Sequence, residues 1–502
     1  MKKSTTKLLP FFLILLLIAV ISTSCAKEEP KIENLPEDER AAAVFARTDE
    51  KMEKTKSYRA EEKISFDFTI NNQDFLIEYL STLYVTDRNT ENYAETTETE
   101  YSFCLNGTKK EANTTVEGFR DGIMFLSTVN GLHKSSLKSE LTLEEYMEHV
   151  EAMSHDDDVP DFEKFFLGAK NKSAEKQDDG SWITVFSGPS DESIENFSEF
   201  FEVITAALGE DVEITDISCE LSVTSLFLVD RLEFTVLLDS ASIGGVTPLS
   251  VSKTGSSETA ITISVEYFDY DIAEQPNNIQ LDKYTDAPDL RKLYEIEDSL
   301  GELIDKENGS FKADIKHTAA VFNDKDTYRE KNVCEYKNGA NGFSYELYNE
   351  SDGENYIIAY ENGRQTVTYV KNGEEQELQK TDSTDFEQKY YISDMLDEGS
   401  FSITNVASFT EKEKQGNFIY TFNSIKPNDE IVDSIVSSMN ATDCTGTETV
   451  TVELDADGNI VKYNYDLTLT LECKINNYSS YTVTYDVEVE CVYGTTLADV
   501  NG

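Results

Sequence analysis

The sequence has little of what enzymes commonly use for catalysis. Only four of its 502 residues are histidine, and it has no Cys-x-x-Cys pair, HExxH motif, Gly-x-Ser-x-Gly elbow, phosphate-binding loop or glycine-rich dinucleotide turn. His149 and His155 do not fall on one helical face, which favours solvated histidines over a zinc site. A catalytic pair of carboxylates for glycoside hydrolysis is neither excluded nor supported, because 97 acidic residues place many acids close together by chance. These absences predict a protein that is not an enzyme and has no cofactor.

Basic residues are scarce as well. The chain has 43 Lys and Arg against 97 Asp and Glu, a formal net charge of −54. Such a chain lacks the clustered positive charge that binds phosphates, so nucleic acid is not an expected partner. With 39% hydrophobic and 11% aromatic residues it is too apolar to be disordered, and its length allows several cores.

The first 24 residues have the layout of a secretory signal. Lysines at positions 2, 3 and 7 precede an apolar run over residues 8–21, and small residues at 22–24 lead to Cys25. The apolar run is too short for a comfortable permanent membrane span. An ordinary secretory signal followed by an incidental cysteine is the alternative to the lipoprotein interpretation given next.

Small residues ending at a cysteine also resemble the lipobox of bacterial lipoproteins. That resemblance implies cleavage before Cys25, diacylation of its thiol and attachment to the cell membrane, facing the exterior. The sequence departs from the pattern at Ser22, where the family usually has an aliphatic residue. Residues 25–40, acidic and containing two prolines, then form a predicted tether.

The same order of elements occurs twice after the tether, in residues 41–286 and 287–502. Each copy opens with an amphipathic helix, predicted near 41–56 and 290–305, and continues through hairpins marked by Asn-Gly pairs. A helical insert follows, and long strands of alternating polarity close the copy. This alternation predicts sheets with one buried and one wet face. The expected fold class is α+β, with two tandem curved antiparallel sheets (half-barrels) that each wrap a few helices.

This order resembles the LolA/LppX type of half-barrel lipoprotein. The sharpest motif is Lys56-Ser57-Tyr58 after the first helix, and the second copy departs from it with Gly309-Ser310-Phe311. The resemblance implies a hydrophobic cavity between sheet and helices that can hold a lipid or another apolar small molecule. Phenylalanines on two predicted helices are the low-specificity candidates for lining it, and plain core packing is their alternative role. These candidates are Phe162, Phe165, Phe166, Phe197, Phe200, Phe201 and Ile204.

Two further patterns have alternative interpretations. Cysteines after Cys25 lie in phase with apolar neighbours, which favours reduced core residues, although a Cys444–Cys473 bridge is open. Asp455, Asp457 and Asn459 have the spacing of the first calcium-loop ligands, but position six is Ile460 instead of glycine. A hairpin turn at Asp457-Gly458 is therefore favoured over a calcium site.

Two functions are compatible with these patterns. The first is a membrane-anchored, extracytoplasmic, non-enzymatic lipoprotein that binds a lipid or apolar ligand in its half-barrels. The second is a structural or interaction lipoprotein with solid cores, whose surface engages an envelope protein.

Overall fold

The computed structural model describes residues 32–495 except for short gaps and three longer ones at 155–164, 189–213 and 249–257. The shorter gaps are at 71–72, 106, 167, 240–245, 302, 304–307, 322–323, 340–341, 352–353, 372–373, 386–387, 390, 393–400, 428, 440 and 477–478. The chain divides into two compact units, Met1–Tyr284 and Thr285–Gly502.

The first unit is a single antiparallel sheet with helices against it. Its strands follow the order β6-β5-β4-β3-β2-β1-β12-β10-β9-β8-β7, with β11 pairing on β1. The described helices are α1 (Glu37–Lys54) and α2 (Leu143–Ser154). The strands are β1 (Tyr58–Ile70), β2 (Gln73–Thr86), β3 (Ala94–Leu105), β4 (Thr108–Arg120), β5 (Ile123–Asn130), β6 (His133–Glu140), β7 (Asn171–Lys176), β8 (Trp182–Ser187), β9 (Ile214–Val223), β10 (Val229–Asp239), β11 (Val246–Pro248) and β12 (Glu258–Phe268).

The second unit begins with the two-residue strand β13 (Thr285–Asp286) and contains α3 (Arg291–Gly301) and α4 (Asp429–Met439). Its sheet follows the order β19-β18-β17-β16-β15-β14-β24-β23-β22-β21-β20. The strands are β14 (Asn308–Val321), β15 (Asp324–Gly339), β16 (Gly342–Ser351), β17 (Glu354–Glu361), β18 (Arg364–Lys371), β19 (Glu374–Asp382), β20 (Val406–Lys414), β21 (Asn417–Ser424), β22 (Ala441–Leu454), β23 (Ile460–Asn476) and β24 (Ser479–Tyr493).

The predicted fold class is confirmed: two large antiparallel sheets dominate, with a few helices. The two sheets also follow the same path. In the first, β1 lies between β2 and β12; in the second, β14 lies between β15 and β24. Five strands run outward from this central strand as successive hairpins, and the remaining strands return to its other side.

The predicted alternation is confirmed in the closing strands. Val265 and Tyr267 of β12 are buried, as are Val450 and Val452 of β22 and Leu467 of β23. The cysteines in these rows behave as small apolar residues. Cys444 and Cys473 are both free thiols, and their strand partners are Leu471 and Ala441, so the open alternative of a bridge between them is not realised.

The Asn-Gly turns were predicted with mixed success. Asn362 and Gly363 both have positive φ, as a two-residue turn of this kind requires. Between β5 and β6, however, Asn130 pairs with His133, so the turn is Gly131-Leu132, one residue later than expected. The prediction of a turn at Asn338-Gly339 was also wrong, because β15 continues through Gly339. The favoured turn at Asp457-Gly458 is confirmed, with Asp455 Oδ1 accepting the Asp457 backbone N–H at 2.9 Å.

Gly309 explains why the second copy departs from the Lys-Ser-Tyr motif. It pairs with Tyr336 across β14 and β15, and a Cβ at this position would overlap the Tyr336 ring. Tyr336 is 5% exposed and its hydroxyl donates to the Leu303 carbonyl. The ring therefore cannot move aside, and a side chain at position 309 would collide with it.

Gly309→Ala is expected to destabilise the second unit by about 1–3 kcal/mol, because overpacking forces the ring or backbone to shift. Denaturant unfolding followed by circular dichroism measures the change. Gly168→Ala is the matched control, since nothing lies within 4 Å of its added Cβ. Equal effects of the two substitutions would contradict the steric explanation.

Candidate functional site

The described helices α1 and α2 pack on one face of the first sheet, here called the inner face. Phe45 of α1 contacts Phe186 of β8 at a ring-centroid distance of 6.2 Å, and Tyr146 of α2 stacks on Phe119 of β4 at 4.6 Å. Residues directly opposite each other on antiparallel strands share a face. By strand register, Phe119 lies in a row with Tyr58, and Phe186 lies in a row with Ile64. The even-numbered residues from Tyr58 to Ile64 of β1 therefore point to the inner face.

Two of the predicted cavity residues lie in an aromatic cluster on the inner face. Phe166 contacts Phe45 at 4.6 Å and Phe186 at 4.8 Å, and Phe165 contacts Phe234 at 5.9 Å. Phe165 and Phe166 are 0% and 2% exposed, so both rings are enclosed by protein. The remaining candidates lie outside the described residues; they are Cys25, Phe162, Phe197, Phe200, Phe201 and Ile204.

A single row across the inner face changes from polar to apolar at Glu62. On one side, β2 to β6 contribute a hydroxyl at every strand. On the other side, β12, β10 and β9 contribute aliphatic residues, and β8 contributes Thr184. In order, the row is Ser135, Thr128, Thr115, Thr99, Ser81, Glu62, Val265, Leu232, Leu221 and Thr184.

Glu62 is the most unusual member of this row. Its side chain is 1% exposed, and within the described part of the chain neither carboxyl oxygen has a hydrogen-bond partner. Burial raises the pKa of Glu62 well above the ordinary value of 4.5. A buried carboxylate without a donor or counter-ion is costly, so its retention indicates a role other than stability.

Three more buried polar atoms near Glu62 also have no hydrogen-bond partner among the described residues. They are the hydroxyls of Tyr58 and Tyr267 and the Oγ1 of Thr97. Tyr267 stands opposite Ala60, diagonal to Glu62, and its ring lies 5.9 Å from that of Tyr58. The hydroxyls and the carboxyl group therefore gather on one part of the inner face.

The other buried acid nearby has partners. Glu95 is 0% exposed, and its carboxylate accepts hydrogen bonds from the hydroxyls of Tyr93 and, at 2.8 Å, Tyr146. Burial still raises the pKa of Glu95, and the two hydrogen bonds oppose that rise. Through Tyr146 this carboxylate fixes α2. A capping box begins this helix, with the Glu145 amide donating to Thr142 Oγ1 at 3.2 Å and the Thr142 amide donating to Glu145 Oε2 at 2.8 Å.

Tyr146→Phe is expected to lower the stability of the first unit by about 1–2 kcal/mol, since a buried acceptor loses a donor. Thermal unfolding at neutral pH measures the loss. Tyr356→Phe is the control, because the Tyr356 hydroxyl donates to the exposed carboxylate of Glu354 at 2.6 Å. A loss no larger than the control's would show that Glu95 does not hold the helix.

The corresponding position in the second sheet is apolar. Counting from Tyr58 and Phe311, which share the place after the motif serine, Glu62 corresponds to Ile315, which is 4% exposed. Glu330 stands opposite Ile315, but Asn332 and Asn349 donate to its Oε1 at 3.0 and 2.7 Å. The unpartnered buried acid is thus a feature of the first sheet.

The arrangement offers binding chemistry. An inner face with hydroxyls on one side, aliphatic and aromatic groups on the other and a carboxyl group between them matches a molecule with a polar end and an apolar body. Within the described residues, no group of three or more His, Cys, Asp or Glu side chains could hold a metal ion. Of the helices that the structure describes, none is both long and apolar enough to cross a membrane.

Comparison with known proteins gives a distant likeness in fold alone. No protein-family model and no curated protein matches the sequence. An outer membrane lipoprotein-sorting protein domain from Vibrio parahaemolyticus aligns at 10% identity and a TM-score of 0.16, covering 42% of this chain and 95% of its own. A DUF1329 family protein from Desulfovibrio piger aligns at 9% identity and a TM-score of 0.17, covering 42% of this chain and 95% of its own.

A LolA superfamily protein from Nitrosomonas europaea aligns at 8% identity and a TM-score of 0.15, covering 41% of this chain and 96% of its own. TM-scores of this size carry no argument about function. What the chain can bind follows from the geometry of its inner face.

Proposed function

We propose that the chain is a membrane-anchored, extracytoplasmic lipoprotein that binds an amphipathic ligand, a lipid or similar small molecule, without catalysing a reaction. The observation that carries this proposal is the row through Glu62, which joins five hydroxyl residues to an apolar half of the same face. Within this row, both carboxyl oxygens of Glu62 are buried without a hydrogen-bond partner among the described residues, which would cost stability in a solid core.

The apolar half of the inner face would hold the body of the ligand. It ends in the aromatic cluster around Phe166, whose neighbours Phe45, Phe186 and Phe234 lie within 6.3 Å of it. The predicted helices with Phe197, Phe200 and Phe201 would cover it. In this proposal the phenylalanines contribute both to the core and to the wall of the binding site.

The tandem arrangement is part of the proposal. Support comes from the shared strand path of the two sheets and from the serine that precedes Tyr58 in one copy and Phe311 in the other. We propose that the copies arose from one half-barrel and then diverged at the position of Glu62 and Ile315. The second sheet would then be a scaffold or a more apolar site.

Anchoring at Cys25 is proposed from the sequence. Diacylation of the Cys25 thiol would hold the units outside the cell membrane on the acidic segment 25–40. The formal charge of −54 would keep the folded part away from anionic headgroups and leave the lipid as the contact with the membrane.

Native mass spectrometry of the chain released from membranes tests the binding function. The expected result is a ligand-bound species that, after ligand removal, again takes up a neutral fluorescent alkyl probe at one molecule per chain. Ligand-free protein that takes up no probe would contradict the proposal and support solid cores whose surface engages an envelope protein. A pull-down from intact membranes would then identify that partner.

A further inference from the structure

The charge around Glu62 indicates which polar group the proposed ligand brings. Burial is the cause of the raised pKa of Glu62, and no cation among the described residues counteracts it. Arg88 acts on the neighbouring tyrosines. Burial raises the pKa of Tyr267, and Arg88 partly opposes that rise, but Arg88 already donates to the Met52 carbonyl at 2.7 Å.

The other charged groups on this part of the face are acidic. Glu95 of β3 is held by Tyr93 and Tyr146, and Glu117 of β4 stands opposite Thr97. Among the described residues on this part of the face, Glu62, Glu95 and Glu117 are buried acids and Arg88 is the buried cation. A ligand that brings a further negative charge would be repelled, whereas one that brings a positive charge would be attracted.

The tyrosines beside Glu62 suit the same kind of group. The rings of Tyr267 and Tyr270 lie 5.9 and 6.5 Å from that of Tyr58. Aromatic faces attract ammonium groups within about 6 Å, most strongly where water is excluded. The free hydroxyls of Tyr58 and Tyr267 can accept hydrogen bonds from an ammonium, as the oxygens of Glu62 can.

Resting on the proposed function, we infer that Glu62, Tyr58 and Tyr267 form a subsite for the cationic ammonium head of an amphiphile. The bound ammonium favours the ionised form of Glu62, so the carboxyl group releases its proton to solvent when the head binds and then accepts the hydrogen bonds of the ammonium. The tyrosines surround the head, and the alkyl chain extends over Val265 and Leu232 toward the aromatic cluster. The ligand supplies the positive charge that the buried carboxylate lacks in the protein.

Three probes with the same alkyl chain and different heads test this inference: dodecylammonium, dodecanol and dodecanoate. Binding to the full chain is measured at pH 7.5 after long equilibration, since Glu62 is 1% exposed and the head must reach a buried site. Dodecylammonium is expected to bind at least tenfold more tightly than dodecanoate. Equal affinities for the three probes would overturn the inference and leave the proposed function standing.

Glu62→Gln extends the test to the residue. It is expected to weaken dodecylammonium binding about 10- to 100-fold, as the loss of a charge-assisted hydrogen bond does, and to change dodecanol binding less than about threefold. Glu448→Gln is the matched control, because Glu448 is a buried acid of the second unit whose Oε2 already accepts from Tyr465 at 3.0 Å. Unchanged dodecylammonium binding by Glu62→Gln would also overturn the subsite.

The probe series on the unchanged chain gives a result even where a variant folds poorly. Failure of all three probes to bind would contradict the proposed function itself, and with it the subsite. Equal binding of all three contradicts only the subsite. The two failures are therefore distinguishable.

Discussion

Glu62→Gln is expected to stabilise the first unit at pH 8, by on the order of 2–3 kcal/mol, because burial in the folded state disfavours the ionised carboxyl group that the unfolded chain exposes to water. At pH 4 the same substitution is expected to have little effect. A neutral carboxyl group and a carboxamide are similar in size and polarity, so the two proteins differ mainly at pH values at which Glu62 ionises in the unfolded chain.

The direction follows from the pKa of Glu62. Burial raises it in the folded state above the ordinary 4.5 of an unfolded chain, so the folded state binds the proton more tightly. The contribution of Glu62 to the free energy of unfolding is therefore fully present below pH 4.5. It is lost as the pH rises toward the folded-state pKa. The contributions of Arg88, Glu95, Glu117, Tyr58 and Tyr267 are common to both proteins and largely cancel in the difference.

Urea unfolding of both proteins at pH 4, 6 and 8 measures this difference. Glu448→Gln provides the contrast, since Ser424 and Tyr465 donate to its carboxylate and an amide would place a donor against one of them. It is expected to destabilise the second unit by about 1–2 kcal/mol. A Glu62→Gln protein less stable than the unchanged chain at pH 8 would show that Glu62 has a stabilising partner.

Cys25→Ser is expected to move nearly all of the chain from the membrane to the soluble extracytoplasmic fraction. The physical reason is that two acyl chains bind a bilayer far more strongly than one, and a serine at this position accepts none. Fractionation after labelling with a radioactive fatty acid measures both the location and the modification.

Cys104→Ser is the control for loss of a cysteine as such, and it is expected to stay labelled and membrane-bound. Two results would contradict the anchor: a Cys25→Ser chain that still sediments with membranes, or an unchanged chain that takes up no label. The second result would favour an ordinary secretory signal, in agreement with the departure from the lipobox pattern at Ser22.

The overall fold could be predicted because it depends on a repeated local signal. Alternating apolar residues on β12, β22 and β23 specify one buried face, and short turns between successive runs specify antiparallel neighbours. The exact turns were harder. Asn130 and Asn338 pair within strands, because the length of the neighbouring strand, which an Asn-Gly pair does not encode, sets the register.

The candidate site was only partly predictable. Phe165 and Phe166 were candidates for lining a ligand cavity, and they lie in the aromatic cluster. Glu62 was missed, although the signal was present in the sequence. In β1 it occupies an even position between Ala60 and Ile64, and the even positions carry the apolar residues. An acid in phase with a row of apolar residues indicates a buried carboxyl group. The pattern is hard to recognise here because the neighbouring Glu61 and Lys63 are also charged.

The lack of partners around Glu62 could not be predicted from the sequence. It depends on which side chains of β2, β12 and β3 come within reach, and that follows from the pairing of Glu62 with Ser81 and Val265. The sequence contains many acids, and only the coordinates distinguish Glu62, with no donor, from Glu95, with two.

The central claim is that an amphipathic ligand lies on the inner face of the first sheet, and the single tryptophan tests it directly. Trp182 is the chain's only tryptophan, lies on β8 two residues from Thr184 in the row of Glu62, and is 3% exposed. Titration with a dodecyl probe brominated along its chain should quench Trp182 fluorescence saturably at one probe per chain. Binding of the probe without quenching, or no binding, would contradict the claim.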